Sequence, residues 1–238
     1  MSRTVVVAGV GPGLGSSVAR EFASHDAQVG LLARSADYLE TTAAQITDTE
    51  PGTALAVPTD ISDPVAVAAA FEQIHDRFGQ VDVLVNNASS TETDGGGVLS
   101  VTEDDLAGAW DVRVAGQFRC AKAAAADMAD GGGGTIIFTT SQSAVTPSEN
   151  ITYTTARHAV RGMARSMAAN LGTHGIQVVH AIVDGWIESP DLRAEYPDHD
   201  RWMDPDKIAV TYRRLADHPA TVHASEIDLR HPEDELSF

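Results

Sequence analysis

The sequence lacks the residues and runs that build disulfide-bonded or membrane-spanning proteins. It has a single cysteine, Cys120, so no disulfide can form within the chain, which is typical of a reducing compartment. Cys120 lies in an alanine-rich stretch, where we expect a buried side chain rather than a nucleophile. No stretch reaches the roughly 20 apolar residues that a membrane helix needs, and the apolar run at the N-terminus leads into a glycine turn, unlike a signal peptide. We therefore expect a cytoplasmic protein with no membrane partner.

Basic residues are also scarce. Sixteen Lys and Arg residues stand against 34 Asp and Glu, which gives a formal net charge of −18, and only Lys122 and Lys207 are lysines. A surface this acidic repels nucleic acid, which argues against such a partner. Two interpretations of the charge stay open: an acidic enzyme that is simply soluble, or an acidic, halophile-like surface adapted to high salt.

The nine histidines are scattered, without the Cys/His spacing of a metal site. The Asp198-His199-Asp200 cluster resembles a solvated acidic surface. We therefore predict no bound metal.

Apolar, β-branched runs alternate with helical patterns along the 238 residues, which predicts βαβ units around a parallel sheet. The predicted fold class is α/β: a doubly wound parallel sheet of about seven strands with helices on both faces, in one domain over residues 1–238. The predicted strands are Thr4–Ala8, Gln28–Leu32, Ala54–Pro58, Val81–Asn86, Thr135–Thr140, Gln177–Val183 and Thr221–Leu229. The main predicted helices are Gly15–His25, Asp63–Phe78, Glu103–Met128 and Ile151–Leu171.

Some element boundaries carry their own signals. Asp63 before a proline, and Thr102 before three acidic residues, are typical of helix starts. Residues 186–206 are rich in Pro, Asp and aromatic residues and fit neither the helical nor the strand period. Because ligands bind outside the carboxyl ends of strands in such sheets, we expect a mobile lid there. A plain surface excursion is the alternative.

A glycine-rich turn, Gly9–Gly15, follows the first predicted strand and precedes a helix. Such a turn lets the backbone approach a pyrophosphate, and the helix N-terminus supplies N–H groups and the positive end of a dipole. The turn therefore predicts a dinucleotide site.

Five motifs, in order and spacing over roughly residues 3–190, resemble the short-chain dehydrogenase/reductase family. They are Gly9-x-x-x-Gly13-x-Gly15, Asp60-Ile61, Asn86-Asn87-Ala88-Ser89, Ser141 with Tyr153, and Asp184-Gly185-Trp186-Ile187. The resemblance implies a Rossmann-type fold and a nicotinamide cofactor. It implies cofactor contacts from Gly9, Gly13, Leu14, Gly15, Asp60, Ile61, Asn87, Ala88, Tyr153, Arg157, Gly185 and Ile187.

The end of the second strand indicates which cofactor is bound. A carboxylate there would bind the ribose hydroxyls of NAD and repel a 2′-phosphate. This chain has Arg34 and Ser35 instead, which can hold the phosphate through charge-assisted hydrogen bonds. NADP(H) is therefore favoured over NAD(H). The alternative is a surface arginine that caps the following helix.

The resemblance also implies a reaction centre. In the family a tyrosine, here Tyr153, transfers the substrate proton, and a serine, here Ser141, holds the substrate oxygen. The family's lysine, four residues after the tyrosine, is Arg157, and its asparagine position is Arg113. A unit charge about 4 Å away is worth roughly 4 kcal/mol at an effective dielectric of about 20, so an arginine can also lower a tyrosine pKa. Unlike lysine, however, arginine cannot release a proton to a relay.

Two arginines in one pocket repel each other unless an anion intervenes. Asp184 is one candidate for that anion, and the charge of the cofactor or substrate is the other.

Two functions fit this pattern. The first is an NADP(H)-dependent oxidoreductase that interconverts a carbonyl and an alcohol of a small-molecule substrate, with Tyr153 as general acid and base. The alternative is a catalytically impaired NADP(H)-binding sensor or scaffold of the same fold. The lid carries no specificity signature, although an apolar substrate would suit Trp186, Trp202 and Met203. The resemblance further implies a homodimer or homotetramer, with alanine-rich helices 105–128 and 151–171 pairing between subunits.

Overall fold

The computed structural model describes residues 2–89, 96–219 and 221–233. The central strands of the main sheet are apolar runs with buried side chains on both faces, as expected of a parallel sheet covered by helices, whereas the edge strand Glu226–Arg230 carries three charged residues and is only partly buried. The strands are β1 (Thr4–Ala8), β2 (Gln28–Ala33), β3 (Thr53–Pro58), β4 (Val83–Asn86), β5 (Gly134–Thr140), β6 (Ile176–Asp184), β7 (Trp186–Ile187), β8 (Trp202–Met203) and β9 (Glu226–Arg230).

Seven of these strands form one parallel sheet in the order β3-β2-β1-β4-β5-β6-β9, and β7 pairs with β8 separately. The chain winds outward from β1 to β3, then returns to β4 on the other side of β1. The carboxyl ends of β1 and β4 therefore flank the point at which the winding reverses, where such sheets bind ligands. The predicted doubly wound fold, in a single Rossmann-like domain, is confirmed.

Helices cover both faces of the sheet. The helices α1, α2 and α8 bury their apolar side chains against one face, and α3, α5 and α6 bury theirs against the other. Their bounds are α1 (Leu14–Ala23), α2 (Ala36–Thr49), α3 (Pro64–Phe78), α4 (Glu103–Trp110), α5 (Gln117–Gly131), α6 (Ile151–Leu171), α7 (Pro190–Glu195) and α8 (Pro205–Ala216).

The predicted helix starts at Asp63 and Thr102 are confirmed. Asp63 accepts a hydrogen bond from the N–H of Val65, and Thr102 forms a reciprocal capping box with Asp105. Cys120 is buried, as expected, and burial raises the pKa of its thiol to about 12.

Some predicted elements were wrong in their bounds or continuity. The helix predicted over Glu103–Met128 is interrupted by one π-helical stretch, Asp111–Gly116, where the chain accommodates an extra residue per turn. The last strand begins at Glu226 rather than Thr221. Residues 186–206 are not irregular throughout: they contain β7, α7 and β8.

Candidate active site

The glycine turn after β1 is shaped by close backbone contacts at its two ends. Gly9 has φ +100°, and a Cβ atom there would lie 2.4 Å from the Cα of Ala88. A Cβ on Gly15 would lie 2.3 Å from the carbonyl oxygen of Gly9, so neither position accepts a side chain. Gly11, by contrast, has open space where its Cβ would be, which leaves room for a ligand beside the turn.

The turn ends at the N-terminus of α1. No side chain caps this helix, and its first turn contains no acidic residue. Its first N–H groups and the positive end of its dipole are therefore suited to an anion such as a pyrophosphate. Asn87, after β4, fixes the other wall of the turn by donating from Nδ2 to the carbonyl oxygen of Gly9 at 2.9 Å.

Arg34 and Ser35 stand at the carboxyl end of β2, beside the loop that follows β3. Ser35 is the N-cap residue of α2, but its side chain makes no capping hydrogen bond, so α2 does not depend on the hydroxyl. Asp60, in the facing loop, accepts from the Ser62 hydroxyl at 2.7 Å and from the Ser62 N–H at 2.9 Å. The Ser62 hydrogen bonds hold the pKa of Asp60 below its usual value, against the opposing effect of burial, and the charge of Arg34 adds to the lowering.

These elements enclose a cavity of about 740 Å³, within the range of small-molecule sites. The shape and donors of this cavity fit a dinucleotide: an open glycine turn, an uncapped helix start and a cationic end. Its walls include all of these predicted cofactor residues: Gly9, Gly13, Leu14, Gly15, Arg34, Ser35, Asp60, Ile61, Asn87 and Ala88.

Tyr153 and Arg157 occupy one side of α6, four residues apart, as the spacing predicts. Asn150 begins the helix by accepting from the N–H of Tyr153 at 3.0 Å. Arg157 is buried and makes three contacts: its Nη2 donates to the Tyr153 hydroxyl at 3.3 Å and to Ser89 Oγ at 3.0 Å, and its Nη1 donates to the Thr139 carbonyl at 3.2 Å.

The π-helical stretch places Arg113 against the same tyrosine. Arg113 is fully buried, and its guanidinium carbon lies 5.1 Å from the centroid of the Tyr153 ring. The guanidinium carbon of Arg157 lies 4.8 Å from that centroid. The negative face of an aromatic ring attracts cations, so the ring itself offsets part of the repulsion between the two arginines.

The environment of Tyr153 lowers the pKa of its phenol. Burial is the largest influence and raises the pKa, but the charge of Arg157 and a contribution from the Ser141 hydroxyl oppose it. The hydrogen bond from Arg157 and the charge of Arg113 act in the same direction, and together these groups outweigh burial. Ser141 Oγ is buried close to the phenol without completing a well-directed hydrogen bond. The pKa of the Tyr153 phenol therefore lies below that of a free tyrosine.

Ser141, Tyr153, Asp184 and Gly185 line a second cavity of about 410 Å³. Gly185 has φ +149°, which favours glycine at this turn. Asp184, proposed from sequence to lie between the arginines, forms a 2.8 Å ion pair with Arg230 of β9. Ile187 contacts the apolar core beside α1 and lines neither of these cavities.

The model of the family described as short chain dehydrogenase matches residues 3–200. The chain belongs to this short-chain dehydrogenase family. Family membership supports a general dehydrogenase or reductase function.

Several known proteins are similar to this chain in sequence or in structure. Oxidoreductase UcpA of Escherichia coli strain K12 is 29% identical over 224 residues, covering 90% of this chain and 82% of its own. The structure of L-sorbose reductase from Gluconobacter frateurii, complexed with NADPH and L-sorbose, superposes with a TM-score of 0.87 at 23% identity, covering 98% of each chain. Alcohol dehydrogenase from the archaeon Thermococcus sibiricus, complexed with 5-hydroxy-NADP, gives a TM-score of 0.88 at 22% identity over 100% of each chain.

Next to the site is a cluster of polar side chains that has no signal in the sequence. Behind the site, the buried His180 lies 2.6 Å from Thr140 Oγ1 and 3.0 Å from Glu226 Oε2. Arg161 of α6 donates to Glu226 twice, at 2.8 Å each. Because the members come from α6, β5, β6 and β9, no local spacing could have connected them.

Two kinds of feature are absent from the described residues: a cluster of metal-binding side chains and a membrane-spanning helix. Within residues 2–89, 96–219 and 221–233, no three His, Cys, Asp or Glu side chains converge as a metal site would require. Across the same ranges, no helix combines the length and the apolar character needed to cross a membrane.

Proposed function

We propose that this chain is an NADP(H)-dependent oxidoreductase that interconverts a carbonyl and an alcohol, with Tyr153 as general acid and base. The observation that carries the proposal is the pair of guanidinium groups, Arg157 and Arg113, against the buried phenol. Cations in these positions stabilise a phenolate, the form that Tyr153 reaches after it gives up a proton.

In the reductive direction, a nicotinamide cofactor held by the glycine turn and the start of α1 would supply the hydride for the carbonyl carbon. Tyr153 donates its hydroxyl proton to the carbonyl oxygen, and the Ser141 hydroxyl positions that oxygen by hydrogen bonding. Arg157 then stabilises the phenolate. Because arginine does not release its own proton, Tyr153 is reprotonated by solvent through the cavity that it lines.

The proposed cofactor site is the larger cavity, with the pyrophosphate at the start of α1 and the 2′-phosphate at Arg34 and Ser35. The Ser35 hydroxyl makes no capping hydrogen bond to α2, and Arg34 places a cation at the end of β2. Both features support NADP(H) over NAD(H). The two solved structures named above were complexed with NADPH and with 5-hydroxy-NADP, which agrees with this choice.

A homodimer or homotetramer is part of the proposal. Leu106, Trp110 and Phe118, on the α4–α5 side of the molecule, are 40%, 48% and 46% exposed. Large apolar side chains left accessible along one helical surface are typical of an interface.

We further propose that residues 186–206 act as a lid over the smaller cavity, because Trp186, His199 and Arg201 of this segment line it.

The test is NADPH oxidation over a broad panel of ketones and aldehydes, with wild type and Tyr153→Phe compared. Wild type should turn over some member of the panel, and Tyr153→Phe should lose turnover while it keeps NADPH affinity, since the change removes the proton donor and little binding surface. If both proteins bind NADPH and are equally inactive across the panel, the NADP(H)-binding sensor or scaffold becomes the better account.

A further inference from the structure

The smaller cavity beside Tyr153 contains a cation that the proposed chemistry does not use. Arg201, in the segment between α7 and β8, lines this cavity together with His199, and Ser141 and Tyr153 also line it. A substrate whose carbonyl lies against Ser141 and Tyr153 therefore shares its cavity with Arg201.

The backbone that carries Arg201 is held by an aromatic cluster. The His199 ring lies 4.9 Å from Trp186 and 4.7 Å from Trp202, measured between centroids. Trp202 Nε1 donates to the His199 carbonyl at 2.7 Å, and His199 Nε2 lies 3.0 Å from the Arg201 carbonyl. These contacts position the main chain on both sides of Arg201 before any ligand arrives, which reduces the entropy lost on binding.

The walls of the cavity argue against the apolar substrate suggested by the sequence. Met203 is 7% exposed and belongs to the apolar core, and Trp202 lies outside the walls of this cavity. Trp186 does line it, but among hydroxyl, amide and charged groups.

The net charge of the chain indicates how Arg201 would contribute to substrate binding. A chain with a net charge of −18 repels anions at a distance, so an anionic substrate needs a local cation to bind. Asp184 also lines the cavity, and its Oδ2 forms the ion pair with Arg230. The Asp184 carboxylate would repel a doubly charged phosphate group on a substrate more strongly than it would repel a singly charged carboxylate group.

We propose that the carbonyl substrate of this enzyme is a small oxo acid, whose carboxylate is bound by Arg201 while its carbonyl lies at Ser141 and Tyr153. A guanidinium has five N–H donors in a planar fork, so Arg201 can hold a carboxylate through two of them and keep other contacts. A cavity of about 410 Å³ suits a small acid. This inference rests on the proposed reductase function.

The experiment uses matched substrate pairs, each a stable 2-oxo or 4-oxo acid and its methyl ester, with NADPH oxidation as the readout. The two members of a pair present the same carbonyl and differ in the negative charge. Wild type should show the higher kcat/KM with the acid of at least one pair.

Arg201→Gln should lower kcat/KM for that acid by about tenfold or more and change the rate with its ester by less than about threefold. Arg201→Lys, which keeps the charge but not the fork, should recover part of the loss. Arg193→Gln is the matched control: Arg193 lies in the neighbouring α7, pairs with Glu188 at 2.8 Å and stacks over Trp202, and it does not line the cavity. It should leave the preference for the acid unchanged.

The outcomes separate this inference from the function on which it rests. Turnover of esters or neutral ketones with no preference for any acid overturns the oxo-acid inference and leaves the reductase function standing. Equal losses for acid and ester in Arg201→Gln overturn it as well. If no carbonyl compound of either class is reduced, the reductase function fails, and the oxo-acid inference fails with it.

Discussion

Arg157 donates a hydrogen bond to the hydroxyl of Tyr153 at 3.3 Å while its guanidinium carbon lies 4.8 Å from the centre of the same ring. The contact is possible because the two residues are one helical turn apart on α6 and because the Thr139 carbonyl and Ser89 Oγ accept further hydrogen bonds from the guanidinium. An arginine thus supplies the charge that lowers the pKa of Tyr153. It also ties α6 to the ends of β4 and β5.

Replacing Arg34→Ala should weaken NADPH binding by about 1.5–3 kcal/mol, the value of a hydrogen bond to a charged group, and leave NADH binding nearly unchanged. The reason is that the proposed cofactor site has Arg34 at the 2′-phosphate, which NADH lacks. Titration of both cofactors measures the effect, and Arg77→Ala on α3, far from the turn, is the control. An equal loss of affinity for the two cofactors would show that Arg34 does not bind the 2′-phosphate.

Thermal stability should rise with salt if the acidic surface is adapted to a saline environment. Screening shortens the range of repulsion among the excess of 18 negative charges. We expect a higher Tm in about 2 M KCl than in about 0.1 M KCl, where the Debye length is about 10 Å. A Tm that is unchanged or lower in about 2 M KCl would favour an acidic surface without saline adaptation.

Glu226 should contribute stability that is lost in acid. The hydrogen bonds from Arg161, followed by the opposing effect of burial and the hydrogen bond from His180, set the pKa of Glu226 at about 2. Because that pKa lies below the unfolded value of about 4.3, the stabilisation is complete above about pH 4.3 and disappears as the pH falls towards 2.

The measurement is urea unfolding of wild type and Glu226→Gln at several pH values. Glu226→Gln should lower the free energy of unfolding most near neutral pH, and the difference from wild type should shrink below about pH 4. The exposed Glu72→Gln on α3 is the control and should show no such trend. A difference that stays constant down to about pH 3 would contradict the pKa assigned to Glu226.

The fold could be predicted because its strongest signals are local. Continuous apolar strands and the caps at Asp63 and Thr102 mark most elements. The same cap-and-proline signal precedes α7 and α8, where Ser189 accepts from the N–H of Leu192 and Asp204 from that of Asp206. The Pro-, Asp- and aromatic-rich composition of the surrounding residues indicates a loop instead and obscures this signal. The π-helical stretch had no signal in the hydrophobic pattern.

The site was predictable only in part. The order of the motifs predicts that Ser141, Tyr153, Arg157 and Arg113 lie together. In the structure the other three side chains lie around Tyr153. The partner of Asp184 could not be foreseen, because Arg230 follows it by 46 residues and meets it only through the pairing of β6 with β9. The role of Arg201 depends likewise on how the segment after α7 folds over the cavity.

Arg157 lowers the pKa of the Tyr153 phenol, and a titration tests this effect without any knowledge of the substrate. The chain has four tyrosines. Tyr196 has a raised pKa, chiefly through its hydrogen bond with Glu195, and burial raises that of Tyr212. The difference spectrum between wild type and Tyr153→Phe isolates the ionisation of Tyr153.

Ultraviolet difference titration of Tyr153 in wild type and Arg157→Met, each against its own Tyr153→Phe partner, is the most direct measurement. Wild type should ionise below the ordinary tyrosine pKa of about 10, and Arg157→Met should ionise at or above it, because burial then acts with less opposing charge. Arg157→Lys, which retains the charge, should stay below that value. Identical titration of Tyr153 in wild type and Arg157→Met would show that Arg157 does not lower the pKa of the phenol.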